Sequence, residues 1–183
     1  MLVGGPVWQT DVSVLTLTYV GDRPGATIFL SALTQLGGWP LLSLTTLIAT
    51  FLILIRKSNN DAVLLVFIII SGRFAVELQK FLVSRHRPDA LDQLVAVHSA
   101  SFPSGHAANA TITYLAVALL AARGRPIAMI AAFLLAGVIG ISRVALGVHW
   151  PSDVAGGWAF GIVWTFGLFL LTQKHETQPL LQR

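Results

Sequence analysis

The chain has no cysteine among its 183 residues. That excludes a disulfide framework and thiolate chemistry, and it removes any redox clue to compartment. Charge is scarce as well. Asp, Glu, Lys and Arg make up 11% of the residues, against about 25% in an ordinary soluble domain. A soluble protein this small has too few charges to cover a chain that is 55% hydrophobic, with a mean hydropathy of +0.74. The composition is that of a chain whose solvent is a bilayer. Metal-ligand patterns are missing too. The histidines are His86, His98, His106, His149 and His175, and none joins Asp or Glu at the tight spacing of a zinc site. No metal and no cofactor are expected. The net charge is +4 and the pI about 10.1. Yet Lys and Arg stand singly or in pairs at the ends of apolar runs, so no basic face develops for nucleic acid.

What is present is a series of apolar runs close to the roughly 20 residues that a membrane-spanning helix requires. Five are expected to span: Leu41 to Ile55, Ala62 to Val83, His106 to Ala122, Ile127 to Leu146 and Ser152 to Leu171. Ala136/Gly140 and Gly157/Gly161 in the last two have the small-residue spacing that lets helix backbones approach. Val12 to Val20 is apolar but too short and polar to cross, and it lacks the flanks of a signal peptide. After the break at Asp22-Arg23-Pro24-Gly25, the residues Ile28, Phe29, Leu33 and Leu36 fall on one helical face. Thr27, Ser31, Thr34 and Gln35 fall on the other, a pattern that suits a helix lying in the interface.

The expected fold is therefore all-α, an integral membrane bundle of five or six spans with an N-terminal interfacial helix. It forms one domain over 1–183: an N-terminal segment over 1–40, a transmembrane core over 41–172 and a cytoplasmic tail over 173–183. Arg56, Lys57, Arg123, Arg125, Lys174 and Arg183 fall on one side of this arrangement. The positive-inside rule makes that side cytoplasmic.

The polar residues fall in three separated stretches, all at the other membrane face. The first is Lys80, six residues, then Arg87-Pro88. The second is Pro103-Ser104-Gly105-His106. The third is Ser142-Arg143, five residues, His149, three residues, Asp153. Lys80, Arg87 and Arg143 bring three cations to one place, which calls for a dense anion; Arg offers a planar fork and Lys a point charge. Ser104 and Gly105 open a helix, where free N–H groups favour an anion. His149 with Asp153 four residues on has the logic of a triad, with histidine as nucleophile. His106 has the chemistry of a general acid.

These three stretches, in this order, resemble the signature of the type 2 phosphatidic acid phosphatase family, which is related to the vanadium haloperoxidases. The resemblance covers Lys80 to Asp153. It implies a metal-independent phosphatase working through a phosphorylated histidine. His149 would be the nucleophile, Asp153 its partner and His106 the general acid. Lys80, Arg87, Ser104, Gly105 and Arg143 would hold the phosphoryl oxygens. The implied substrate is a lipid phosphate: a phospholipid such as phosphatidic acid or phosphatidylglycerol phosphate, or a polyprenyl (di)phosphate such as undecaprenyl diphosphate. The implied setting is a bacterial inner or plasma membrane with the site on the extracytoplasmic side. Members of this kind usually have six spans, one more than the hydropathy supplies here.

Glu77, His98 and Pro103 are secondary site candidates. Arg73 and Glu77, four residues apart inside a span, read as an intramembrane ion pair. Arg85 and His86 read as solvated loop residues or headgroup contacts, and Asn109 as packing or pocket lining. Two other readings remain. A small transporter or lipid-binding membrane protein would use the cations as an anion path. A vanadate-dependent haloperoxidase would use the same residues, but those relatives are soluble and this chain is not apolar by accident.

Overall fold

A computed structural model describes residues 6–89 and 91–177, and among them there are helices and no strands. The helices are α1 (Pro6–Thr18), α2 (Pro24–Thr34), α3 (Trp39–Ile55), α4 (Asn59–Val83), α5 (Gly105–Leu120), α6 (Pro126–Ala145) and α7 (Pro151–Thr177). A short 3-10 turn, Gln35–Gly37, joins α2 to α3. Proline stands in the first turn of α2, α3 and α6. There its missing N–H loses no helical bond and its fixed φ suits the helix.

The bundle is built around α5. It packs against α3, α4, α6 and α7, and ten of its 16 residues are buried. A helix apolar on every face is one that must be enclosed. Glycines set how closely α7 approaches it. A Cβ at Gly157 would lie 2.9 Å from the Ser104 carbonyl oxygen, and one at Gly161 would lie 2.7 Å from Thr111 Cβ. Across the α6–α7 contact, a Cβ at Gly140 would fall 2.5 Å from the Trp158 ring. The small residues at these positions are therefore contact points rather than chance occurrences in apolar helices.

The outer faces carry large apolar side chains. Leu47, Phe51 and Ile55 on α3, Phe67, Phe74 and Phe81 on α4, and Ile127 and Leu134 on α6 are all exposed. In water such a surface would drive aggregation; in hydrocarbon it is the lipid-facing wall. By length and apolar composition α6 and the Pro151–Gln173 part of α7 can each cross a bilayer, and α2 with α3, bent by 43°, adds a third if the pair acts as one span. At 1.5 Å per residue, α4 is about 37 Å long and α5 only about 24 Å.

Helices α3 to α7 occupy the five stretches expected as spans, within a few residues at most ends; α7 continues to Thr177. The tail expected over 173–183 lies in part outside the described residues. Two N-terminal expectations change. Val12 to Val20, which hydropathy alone leaves without a place, lies mostly in α1, and α1 packs on α6 and α7 with Leu15 and Asp11 buried. In α2, Ile28 and Phe29 face outward as expected, but Thr34, assigned to the opposite polar face, is fully buried. The reason is chemical: its hydroxyl accepts a hydrogen bond from Arg143 Nη1 at 3.2 Å.

Candidate active site

The C-terminal ends of α4 and α6 and the N-terminal ends of α5 and α7 meet at one end of the bundle. The loop after α4 folds over them. Ser84, in the left-handed conformation, ends α4, and the loop is then pinned by backbone bonds from Ser101 N–H to the Arg85 carbonyl (2.8 Å) and from Leu94 N–H to the Leu146 carbonyl (3.1 Å). The Phe102–Pro103 peptide bond is cis.

Beneath the loop lies a cavity of about 540 Å³. Lys80, Arg87, Gly105, His106, Arg143 and His149 all line it, as do Arg73, Glu77, His98 and Asn109. Three distant stretches are thus brought to one wall. Asp153 stands behind His149. Pro103 is buried but is not a lining residue. Arg73 and Glu77 are not within ion-pair distance, contrary to the sequence expectation; both side chains open onto the cavity instead. Asn109 is settled as lining. His86 is exposed, and its carbonyl accepts the Trp150 indole N–H at 3.1 Å.

None of the three cations is paired with a carboxylate among the described residues: Lys80 and Arg87 are held by carbonyls and Arg143 by the Thr34 hydroxyl. Lys80 Nζ donates to the Ala100 carbonyl at 2.7 Å. Arg87 donates from Nε to the Ser99 carbonyl (2.8 Å) and from Nη1 to the Val148 carbonyl (2.6 Å). Carbonyl oxygens fix a guanidinium or ammonium without cancelling its charge, so the site stays positive. Burial pushes the Arg87 pKa below the ordinary guanidinium value, partly offset by Asp153. Among the described residues four buried polar side-chain atoms have no partner, Thr50 Oγ1, Thr165 Oγ1, Ser104 Oγ and Arg143 Nε, and the last two lie at the site. Ser104 and Arg143 both belong to the residues expected to grip a phosphate, and a bound anion would satisfy these two costly unpaired groups.

His149 is oriented from both sides. Arg87 Nη1 lies 3.1 Å from Nε2. Arginine only donates, so Nε2 must be the accepting nitrogen, and the ring proton sits on Nδ1. That nitrogen faces Asp153 Oδ2 at 3.6 Å and Ser101 Oγ at 3.4 Å. The direct histidine–carboxylate hydrogen bond expected from the spacing is too long to count as closed; Ser101, which donates to Asp153 Oδ2 at 2.5 Å, stands between them. Burial, ahead of the opposing pull of the nearby Asp153 carboxylate, pushes the His149 pKa down to about 4, so the ring is neutral at pH 7.

The four-residue step from His149 to Asp153 has a helical cause. Trp150 precedes the first residue of α7 and Asp153 occupies its third position. The Asp153 carboxylate accepts the Trp150 backbone N–H at 3.0 Å, the return bond of a capping box. Asp153 therefore caps α7 and faces His149 with the same oxygen. Its other oxygen accepts from Arg85.

Arg85 is the main correction to the sequence reading. Its side chain is only 10% exposed. It bridges Asp153 to Asp11 of α1, donating from Nη2 to Asp11 Oδ2 at 2.8 Å, and lies 5.7 Å over the Trp150 ring. Asp11 in turn accepts the Ser152 backbone N–H (2.8 Å) and hydroxyl (2.6 Å). It thereby satisfies a first-turn donor of α7 from a position 141 residues earlier. Asp11, Ser101 and Thr34 were not singled out from sequence. Spacing offers no signal for them, because each acts through a contact made only in the folded chain.

Fold and site together define an integral membrane protein with a cationic cavity lined by His98, His106 and His149. The chain belongs to the PAP2 superfamily, whose model matches residues 61–177. It is 33% identical over 178 residues to phosphatidylglycerophosphatase B of Bacillus subtilis, covering 93% of this chain and 85% of that one. It is 36% identical over 165 residues to a decaprenylphosphoryl-5-phosphoribose phosphatase of Mycobacterium tuberculosis, covering 85% and 86%. Its fold is similar to the crystal structure of a transmembrane PAP2 type phosphatidylglycerolphosphate phosphatase from Bacillus subtilis, with a TM-score of 0.84 and 27% identity over 94% of this chain and 89% of that one.

Proposed function

We propose that this chain is a single-domain lipid phosphate phosphatase that transfers the terminal phosphoryl group of its substrate to His149 and then to water. The observation that carries the reading is the Arg87–His149 contact. It leaves an accepting Nε2 at the wall of a cavity whose cations have no carboxylate partner. Nε2 attacks phosphorus as the bond to the lipid oxygen breaks, and His106 gives that oxygen its proton. Arg87, Arg143, Lys80, Ser104 and the Gly105 N–H hold the three remaining oxygens and their growing charge. Water, deprotonated by His106, then breaks the N–P bond, releasing phosphate and restoring neutral His149. Asp153 and Ser101 keep the Nδ1 proton in place throughout. No step requires a metal.

The related proteins support a lipid as the carrier of the phosphate, since those named act on phosphatidylglycerophosphate and decaprenylphosphoryl-5-phosphoribose. Arg56, Lys57, Arg123 and Arg125, at the end of the bundle opposite the site, support a sidedness for the proposal; Arg56 donates to the Ala121 carbonyl there. The positive-inside rule favours that end as cytoplasmic and the site as outside.

The test is phosphate release from a panel of lipid phosphates by the purified protein in detergent with EDTA present. Release from at least one is expected. No release from any, or loss in EDTA that a divalent metal restores, overturns the reading. A second result should separate the histidines. His106→Ala is expected to slow lipid alkoxide leaving groups about 10²–10⁴-fold, but activated aryl phosphates much less, because a good leaving group needs no proton. Equal losses for both would remove the general acid.

A further inference from the structure

Arg143 differs from the other cations of the site in what holds it. It is only 3% exposed. Among the described residues its side chain has one hydrogen-bond partner, the Thr34 hydroxyl, at 3.2 Å from Nη1. A buried guanidinium ordinarily meets a carboxylate. A hydroxyl orients the fork without cancelling its charge, and Nε is left buried and unpaired.

Thr34 reaches Arg143 because the chain bends there. It is the last residue of α2, and the turn Gln35–Gly37 follows before α3 leaves at 43° to α2. A break between two apolar helices frees backbone groups that hydrocarbon does not satisfy. Here the protein satisfies them. Tyr114 of α5 donates its hydroxyl to the Leu36 carbonyl at 2.6 Å, and the Gly38 N–H donates to the Gln35 carbonyl at 2.9 Å. Gly37 seats the turn against the site: a Cβ there would lie 2.6 Å from Ile139 Cγ2 and 3.4 Å from His106 Cδ2. The bend thus delivers a fully buried hydroxyl to a phosphate-gripping arginine, from a segment that precedes all three motif stretches.

We propose that Thr34 is a positioning residue for phosphoryl transfer: its hydroxyl sets the direction of the Arg143 fork, so that the remaining N–H groups hold the phosphoryl oxygens with the full positive charge. This rests on the phosphatase reading and deepens it. Thr34 does not line the cavity, so it acts through Arg143. The charge of Arg143 serves the oxygens that stay on phosphorus, whatever group leaves. His106 differs, because its proton goes to the leaving oxygen. A carboxylate in place of Thr34 would hold the fork equally well but would neutralise that corner of the site.

The experiment compares wild type, Thr34→Val and Thr34→Ser in detergent, with a lipid phosphate and an activated aryl phosphate as substrates. Valine keeps the shape and removes the hydroxyl; serine keeps the hydroxyl. Thr34→Val should lose at least about tenfold in kcat/KM, as for a hydrogen bond to a charged group, and by the same factor for both substrates. Thr34→Ser should retain most of the activity. A smaller loss in Thr34→Val, an equal loss in Thr34→Ser, or a loss confined to the lipid overturns the proposal. The last result would route the effect through His106, beside Gly37, rather than through Arg143. Should valine not pack, Thr34→Ala removes the same hydroxyl and carries the same expectations. Calorimetric binding of inorganic phosphate tests the grip without turnover. It should weaken at least about tenfold in Thr34→Val, and an unchanged affinity overturns the proposal. Release from no lipid phosphate by wild type overturns the phosphatase reading instead, and the phosphate affinities still decide the role of Thr34.

Discussion

Replacing His149 with alanine is expected to reduce phosphate release from every lipid substrate by at least about a thousandfold, with the helical fold intact. The size follows from the absence of a substitute. The other residues on the cavity wall offer cations, a carboxylate, an amide and two further histidines, His98 and His106, and neither of these is hydrogen-bonded to Arg87 as Nε2 of His149 is. The fold should persist because the partners of His149 have other partners. Asp153 keeps Ser101, the Trp150 N–H and Arg85. Arg87 keeps the Ser99 and Val148 carbonyls. Helicity and gel-filtration profile in detergent should match wild type, and residual turnover above about 1% would remove the nucleophile assignment. The same residue sets an acid limit. Its pKa is held down at about 4 by burial, so His149, the proposed nucleophile, stays neutral as pH falls through 6.5. Protonation of His149 should depress kcat/KM only as pH approaches about 4. A limb near 6.5 that disappears in no other variant would contradict the burial of this ring.

Arg85→Met is expected to destabilise the protein by about 3–5 kcal/mol, the range for breaking a buried ion pair from one side. The methionine fills a similar volume but leaves Asp11 and Asp153, both almost fully buried, without their shared cation. Thermal unfolding in detergent should show a clear drop. The double variant Asp11→Asn with Arg85→Met should recover part of it, because one of the two stranded charges is then gone. A melting temperature within a degree or two of wild type for the single variant would mean that the bridge contributes little to stability. Activity should fall as well, since Asp153 both caps α7 and faces His149.

How far the sequence reached depended on the range of the interaction. The five long helices were legible because hydropathy is averaged over many residues and tolerates local exceptions. The motif residues were legible because each stretch carries its own helix start or end, and those ends need only converge. Arg85 was misread because a loop arginine next to a histidine looks solvated until α1 arrives to supply Asp11. Arg73 and Glu77 were misread in the opposite direction. Their spacing places them on one face, but it does not say whether the side chains meet each other or the cavity. Ser101 left no trace at all, since a serine two residues before a proline is ordinary until it is found between a histidine and its carboxylate.

The contact between Asp11 and Ser152 has a consequence in time. Ribosomal synthesis delivers α1 first and α7 last, and the carboxylate that faces the nucleophile is braced by both. A partly made chain holds Lys80, Arg87 and His106 in the membrane before Asp153 exists, so it already has cations able to attract anionic headgroups but no braced histidine to act on them. On the proposed mechanism, the brace behind His149 is completed only when α7 has docked against α1.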